Sequence, residues 1–238
     1  TRGHWTLCPE RGGALVALEL PGTPWDLVHT MARYPERYDD IGRADRPNWS
    51  LYDRFASHSG NLEEDKYTGD FSMLSYQTKT FESGCELSTS GRVAGVDGVC
   101  LTKRFELAHA GSELQVKLTV KIPENHALRG FLVQQIYLSL PPGDGNKQRL
   151  GDQVEAWSEP LSGESASIQF AAPSSRLQFS FVLPGVVPIW TKPIYAEHQD
   201  RGAMRSSLQG VQVCAAIPLQ LRSGGEWSGQ MVLRALRR

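Results

Sequence analysis

Apolar and polar residues alternate along much of this chain with a period of two. The clearest run covers residues 114–122, in which Leu, Val or Ile fills every second position and Gln, Lys or Thr fills the others. Because successive side chains on a β-strand project to opposite faces, this pattern predicts a strand with one buried and one hydrated face. Similar patterns predict further strands at residues 14–20, 76–82, 98–107, 132–140, 165–170, 177–183, 186–194, 211–221 and 229–236.

Turn-forming residues separate these strands. Asp97-Gly98 predicts a two-residue hairpin turn, and Pro218 indicates a sheet edge or a bulge. Loops rich in Pro, Gly and Ser are predicted at residues 141–146, 172–175 and 223–225. About ten strands joined mostly by short turns favour an all-β antiparallel β-sandwich. Since no internal repeat or linker is visible, we expect a single domain over residues 1–238.

Two segments depart from the strand pattern. Residues 23–31 predict one short helix, because Thr23 can cap it, Pro24 suits its first turn and Asp26 suits its N-terminal dipole. Residues 33–70 are rich in Arg, Asp, Tyr and Pro and show no clean period. An irregular region of this length in a compact domain is typical of a functional segment.

The charge balance argues against two classes of partner. The chain has 25 Lys and Arg residues against 26 Asp and Glu residues, and its formal net charge is −1. No overall positive field therefore attracts nucleic acid or an anionic membrane surface. No apolar run reaches the roughly 18–20 residues of a membrane span. We expect neither nucleic acid nor a membrane as a partner.

The cysteines indicate the compartment. Cys8, Cys85, Cys100 and Cys214 match neither a Cys-x-x-Cys motif nor the spacing of a zinc site. Cys100 and Cys214 fall within apolar strands, so we expect core thiols, with disulfides as the alternative. Reduced thiols favour the cytoplasm. We expect no metal and no cofactor.

Two stretches combine aromatic rings with planar polar groups, as sugar-binding surfaces do. An aromatic ring packs on the C–H face of a sugar, while carboxylates, amides and guanidinium groups bind its hydroxyls. Residues 25–53 and 190–209 contain this mixture, although a structural loop explains each stretch equally well. The carbohydrate-binding candidates are Trp25, Arg33, Glu36, Tyr38, Trp49, Tyr52, Asp53, Trp190, Glu197, His198 and Gln209.

Catalytic motifs are absent from the sequence: there is no G-x-S-x-G, no H-E-x-x-H and no P-loop. Glu36 and Glu197 could form a carboxylate pair for glycoside chemistry, although the sequence does not give their separation. Asp39 and Asp40 beside Asp53 could bind calcium, but a solvated acidic loop is the better interpretation. We assign no catalytic residue to this chain.

Several motifs resemble one known domain. The residues that carry the resemblance are Gly12-Gly13-Ala14-Leu15, Glu19-Leu20, the run from Leu27 to Tyr38, Tyr52-Asp53-Arg54, His58, the run from Pro188 to Ile194, Gly202, Gln209-Gly210 and Glu226-Trp227. Together they resemble the C-terminal β-sandwich of the 4-α-glucanotransferase and α-amylase group of glycoside hydrolase family 57. The motifs touch both ends of the chain, while its middle matches by strand pattern alone.

The resemblance implies a fold and a role. That domain is a supersandwich of the galactose mutarotase-like type, and it packs against a (β/α)₇ barrel that holds the catalytic carboxylates. No residue of this chain corresponds to the barrel. The resemblance therefore implies an accessory domain that borders an α-glucan cleft and is not catalytic alone. Its partners would be an α-glucan or oligosaccharide and a catalytic barrel, located upstream or in trans.

The chain also departs from the family pattern, mostly at polar positions. Tyr34, Asp39 and Ser57 stand where the family usually has arginine, histidine and aspartate, and residues 196–201 replace an acidic, serine-rich stretch. Two alternatives therefore stay open. One is a self-sufficient mutarotase-like sugar enzyme that uses His58 or His198 with Glu36 or Glu197 as acid and base. The other is a purely structural or protein-interaction sandwich.

Overall fold

The computed structural model describes residues 3–21, 23, 26–28, 49–59, 67–139, 143, 145–200 and 203–237. These residues form β-strands and two 3₁₀ turns, at His109–Gly111 and Pro173–Ser175. The strands are β1 (His4–Cys8), β2 (Ala14–Glu19), β3 (Tyr52–Ala56), β4 (Tyr67–Asp70), β5 (Gln77–Phe81), β6 (Gly84–Val93), β7 (Val96–Ala108), β8 (Glu113–Lys121), β9 (Leu128–Leu138), β10 (Lys147–Leu150), β11 (Gln153–Ala156), β12 (Ser162–Ala172), β13 (Leu177–Asp200), β14 (Ala203–Leu221) and β15 (Glu226–Arg237).

The strands pair antiparallel throughout and form two layers. The main order is β4-β3-β9-β14-β13-β15-β8-β7-β6-β5, with β12, β10 and β11 added beside β13, while β1 and β2 form a separate ribbon. The first part of β13 pairs with β15, and its second part pairs with β14. This 24-residue strand therefore joins the two halves of the sheet. The predicted all-β antiparallel sandwich is confirmed.

The period-two pattern matches the buried positions. Leu114, Val116, Leu118 and Val120 of β8 have no exposed surface. They belong to one hydrophobic cluster that contains residues from nearly every strand of the sandwich. The intervening residues, such as Lys117, face water. Burial of these side chains, at roughly 25 cal/mol per Å² of apolar surface, is the main force that holds the layers together.

The hairpin turn between β6 and β7 lies earlier than the sequence predicts. Val93 pairs with Val96, so the two turn residues are Ala94 and Gly95. Both have positive φ, at 49° and 86°, as the favoured two-residue hairpin turns require. Asp97-Gly98 instead lies within β7. The turn prediction was therefore wrong by three residues, because a local Asp-Gly signal does not fix the register of the strands.

The predicted short helix is also absent where it can be checked. Thr23 and residues 26–28 are described, and none is helical. Asp26 Oδ1 instead accepts hydrogen bonds from the backbone N–H of Leu18 at 2.8 Å and of Val28 at 3.0 Å. This carboxylate ties the segment to β2, so a residue that suits a helix N-terminus here serves a turn. The rest of the predicted helix lies outside the described residues.

Two further sequence predictions have clear outcomes. The pairs between β13 and β14 end at Ala215, so Pro218 pairs only with Phe131 of β9, as expected for a local edge. Cys214 is buried as predicted, but Cys100 is exposed on the hydrated face of β7. None of the four cysteines, all within the described part of the chain, forms a disulfide. The described residues contain no helix able to span a membrane.

Candidate functional site

Four adjacent strands bring Tyr52, Gln135, Cys214 and Trp190 into one row. Tyr52 of β3 pairs with Gln135 of β9, which pairs with Cys214 of β14, which pairs with Trp190 of β13. Residues directly opposite in antiparallel strands project from the same face of the sheet. These side chains therefore share the face opposite the core. We call it the polar face and define it as Tyr52, Arg54, Gln135, Tyr137, Trp190, Gln212 and Cys214.

Side-chain contacts hold the polar groups of this face in fixed orientations. Arg54 Nη1 donates to Gln135 Oε1 and to the Tyr67 hydroxyl, both at 3.3 Å. The guanidinium carbon also lies 4.7 Å from the centre of the Tyr67 ring. Gln212 Nε2 donates to the Tyr137 hydroxyl at 3.2 Å. Tyr52, Gln135 and Cys214 of this face are almost fully buried, whereas Arg54, Tyr137, Trp190 and Gln212 are partly exposed. A ligand would therefore meet the face at these four side chains, whose planar groups need little reorganisation.

The Tyr137 hydroxyl lies in the middle of this network. Burial, and then the neighbouring Cys214 thiol, raise the pKa of Tyr137 to about 12, while Arg54 acts to lower it. The Tyr52 and Tyr67 hydroxyls add smaller upward contributions to the pKa. The phenol is therefore protonated at neutral pH and can donate a hydrogen bond.

An apolar strip borders the polar groups. Ala56, Val133 and Ala216 are buried on the same side of the sheet, and the partly buried rings of Phe131 and Trp190 pack against them. Nearby, the Trp49 ring centre lies 6.5 Å from that of Tyr52. Apolar faces beside oriented hydrogen-bonding groups are the combination that a sugar ring, with its C–H faces and equatorial hydroxyls, can use.

The structure brings together some of the predicted site residues. Tyr52 and Trp190 share the row described above, and Trp49 contacts Tyr52. Gln209 lies at the irregularity between β13 and β14, where its Nε2 donates to Ser207 Oγ at 2.8 Å. Gln209 is therefore oriented by its own strand and lies outside the row.

Several predicted residues cannot be assigned a position on this face. Trp25, Arg33, Glu36 and Tyr38 lie outside the described residues, as do Asp39 and Asp40 of the calcium hypothesis. The backbone of Glu197 and His198 forms part of β13, opposite Ser206 and Arg205, but their side chains lie outside the described part. His58 follows β3 and is exposed. Among the described residues, no group of three or more His, Cys, Asp or Glu side chains could hold a metal.

Asp53 lies on the opposite side of the sheet from Tyr52. Its carboxylate has no exposed surface and lies 2.6 Å from Lys103 Nζ, which is equally buried. The Tyr76 hydroxyl donates to it at 2.7 Å, and Gln134 Nε2 donates at 2.7 Å. The expectation that Asp53 contacts sugar is corrected here, because neighbouring strand residues face opposite sides and this one binds interior donors.

Burial controls the ionisation of Lys103 and Tyr76, the two titratable side chains that contact Asp53. Burial lowers the pKa of Lys103, while the adjacent Asp53 carboxylate raises it. Burial, followed by the charge and hydrogen bond of Asp53, raises the pKa of Tyr76 far above its ordinary value. Lys103 donates to three acceptors at short distance, which is the arrangement of an ammonium group. The phenol of Tyr76 is a permanent donor.

Sequence reasoning missed five residues of the polar face: Arg54, Gln135, Tyr137, Gln212 and Cys214. Gln135, Tyr137 and Gln212 occupy the polar positions of strands whose apolar positions were recognised. The available signal was therefore the polar side of each alternating strand, considered as a set of hydrogen-bonding groups rather than as a solvated surface. Their meeting depends on pairing between strands about 80 residues apart in sequence, which no local pattern supplies.

Comparison with known proteins identifies the fold. No protein-family model and no curated protein sequence matches the chain. Among solved structures, it is similar to 4-alpha-glucanotransferase from Thermococcus litoralis, with a TM-score of 0.74 and 18% identity over 98% of this chain and 36% of that one. It thus spans about a third of the length of that enzyme.

Two other similar structures match along nearly their whole length. One is a putative aldose 1-epimerase from Escherichia coli K12, with a TM-score of 0.65, 13% identity and coverage of 98% of this chain and 96% of that chain. The other is a galactose mutarotase-like protein from Lactobacillus casei, with a TM-score of 0.64, 12% identity and coverage of 99% and 98%. At these identities the likeness establishes the fold, so the chain has a galactose mutarotase-like β-sandwich fold.

Proposed function

We propose that the polar face binds carbohydrate and that this chain is an α-glucan-associated accessory domain of a family 57 type α-amylase or 4-α-glucanotransferase. The observation that carries the proposal is the polar face itself, on which the partly exposed Trp190 ring lies on the same side of the sheet as the planar polar groups of Arg54 and Gln212. The buried row members Tyr52, Gln135 and Cys214 form the floor beneath these groups. Trp49, beside Tyr52, extends the aromatic edge.

Two independent features support the α-glucan assignment. The motifs at both ends of the sequence resemble the sandwich domain of that enzyme group, and a solved 4-alpha-glucanotransferase contains a region of the same fold. In this proposal the catalytic (β/α)₇ barrel is a partner, supplied upstream or in trans. The reduced cysteines support a reducing compartment such as the cytoplasm.

A second function, a mutarotase-like sugar enzyme, is favoured by a different observation. The similar aldose 1-epimerase is matched over 96% of its length, so the sandwich alone makes up nearly all of that protein. Such an enzyme needs one acid and one base within hydrogen-bond reach of the anomeric centre. The candidates are His58 or His198 with Glu36 or Glu197.

Calorimetric titration of the purified chain with a maltooligosaccharide tests the first function. We expect saturable binding that is largely lost in Trp190→Ala. Gln212→Ala should weaken binding about 3- to 10-fold, the equivalent of one neutral hydrogen bond. Gln230→Ala is the matched control, because Gln230 is exposed on β15, outside the polar face, and should leave the affinity unchanged.

The same samples separate the alternatives. Failure of the wild-type chain to bind any maltooligosaccharide would refute the carbohydrate proposal in favour of a structural or protein-interaction role. Anomer exchange of glucose or galactose, followed by polarimetry, tests the mutarotase-like function. Exchange above the buffer rate that is lost in His58→Ala would favour an enzyme over an accessory domain.

A further inference from the structure

A buried lysine connects the two halves of the sandwich behind the polar face. Lys103 lies on the core side of β7 and has no exposed side-chain surface. Its Nζ donates to Asp53 Oδ2 at 2.6 Å, to the Gly12 carbonyl at 2.9 Å and to the Leu51 carbonyl at 2.9 Å. All three protons of the ammonium group therefore have acceptors. Asp53 lies in β3, Leu51 immediately precedes β3, and Gly12 lies in the turn before β2.

The acceptor side is equally complete. Asp53 Oδ2 accepts hydrogen bonds from Lys103 Nζ and the Tyr76 hydroxyl, and Asp53 Oδ1 accepts one from Gln134 Nε2 of β9. The group thus links β7 of one layer to β3 and β9 of the other. We call Lys103, Asp53, Tyr76 and Gln134 the interior clamp.

Backbone conformation around the clamp is specialised. Leu51 has a φ of 62°, a left-handed conformation that costs a non-glycine residue energy, and its N–H donates to the Gln135 carbonyl at 2.6 Å. Gly13 also has positive φ, and a Cβ there would lie 2.9 Å from Leu87 Cδ1 and 3.2 Å from both Lys103 Cε and Tyr76 Cγ. Gly13 therefore makes room for the clamp and for Leu87, whereas Gly12 allows a close approach to the Ser72 backbone.

A buried ion pair is a poor source of stability, because a well-packed apolar pair of similar volume often stabilises as well or better. The location of the Lys103–Asp53 ion pair indicates a role other than stability. Asp53 lies between Tyr52 and Arg54, the two β3 residues of the polar face, and Lys103 holds the strained residue that leads into them.

We propose that Lys103 and Asp53 are positioning residues of the polar face: they fix residues 51–54 so that Tyr52 and Arg54 are held ready for a sugar. This inference rests on the carbohydrate function proposed above. The clamp itself does not touch the ligand.

The test uses a charge-free clamp, Asp53→Asn combined with Lys103→Met. Asparagine is close in shape to aspartate: its amide oxygen can accept from one of Gln134 and Tyr76, and its amide nitrogen can donate to the oxygen of the other. Methionine fills most of the lysine volume, so no charge is left buried without a partner. The control is Glu106→Gln, which removes an exposed ion pair with Arg104 on the same strand.

The first readout is hydrogen exchange, which needs no ligand. We expect peptides that cover residues 50–56 to exchange at least 10-fold faster in the charge-free variant, while those that cover β8 keep the wild-type rate. Uniform acceleration across both regions, or no acceleration, would overturn the positioning role.

The second readout is maltooligosaccharide affinity. We expect at least a 10-fold loss in the charge-free variant and no change in Glu106→Gln. Unchanged affinity alongside faster exchange at residues 50–56 would refute the proposal. If the wild-type chain binds no sugar, the carbohydrate function fails, whereas the exchange result still decides whether the clamp fixes β3.

Discussion

Replacing Lys103 alone by methionine should strongly destabilise the protein. The change leaves the Asp53 carboxylate buried without its cation and removes the donor to two interior carbonyl groups, those of Gly12 and Leu51. Breaking a buried pair by removing one partner costs about 3–5 kcal/mol. For a chain of this length each kcal/mol lowers Tm by about 2–4 °C, so Tm should fall by about 6–20 °C.

Guanidinium chloride unfolding followed by tryptophan fluorescence measures this cost. Glu106→Gln gives the comparison on the same strand, because its ion pair with Arg104 is 32% and 48% exposed on the two side chains. An exposed pair of this kind contributes at most about 1 kcal/mol. Equal small losses in the two variants would refute the reasoning, since they would mean that Lys103 does not bear a desolvated charge in the folded state.

Two further predictions concern ionisation and backbone strain. Tyr137 should ionise near pH 12 instead of 10.0. The stability that its neutral form contributes should therefore be complete below pH 10 and decline as the pH rises towards 12. An ultraviolet difference titration against Tyr137→Phe measures the pKa, and ionisation near pH 10 would contradict the prediction. Gly13→Ala should lower the free energy of unfolding by more than the roughly 1–2 kcal/mol that left-handed strain costs, because its Cβ would also crowd Leu87, Lys103 and Tyr76. Gly95→Ala, with positive φ but no atom within 4 Å of its Cβ, should cost only the strain, and equal losses in denaturant unfolding would argue against crowding at Gly13.

The sequence predicts strands in which apolar and polar residues alternate regularly, and it misses strands in which few apolar residues mark the buried side. β8 is recognised because four apolar positions alternate with hydrated ones. β6 is missed because Ser, Thr and Gly fill half of it and only Cys85, Leu87 and Val93 mark its buried side. β3 is missed because five residues inside an irregular segment offer too few periods to detect, although β9 supports it on one side and β4 on the other.

The candidate site is predictable by residue type but not by arrangement. Tyr52 and Trp190 were identified as aromatic residues near polar ones, yet only strand pairing places them in one row with Gln135 and Cys214. Asp53 was grouped with Tyr52 for the same compositional reason. Because β3 is not recognisable as a strand in the sequence, nothing there indicates that the Tyr52 and Asp53 side chains face opposite sides of the sheet.

Alternation in β3 makes one short strand serve two surfaces of different chemistry. Tyr52 and Arg54 face the polar side, whereas Asp53 and Phe55 face the interior. A slip of one residue in its pairing with β9 would exchange the two sets, placing a carboxylate on the polar face and the tyrosine and arginine in the core. Lys103 opposes this slip, because only the observed register brings the Asp53 carboxylate within 2.6 Å of its ammonium group. We infer that the interior charge favours the register on which the polar face depends, which would give a role to an ion pair that an apolar pair could replace.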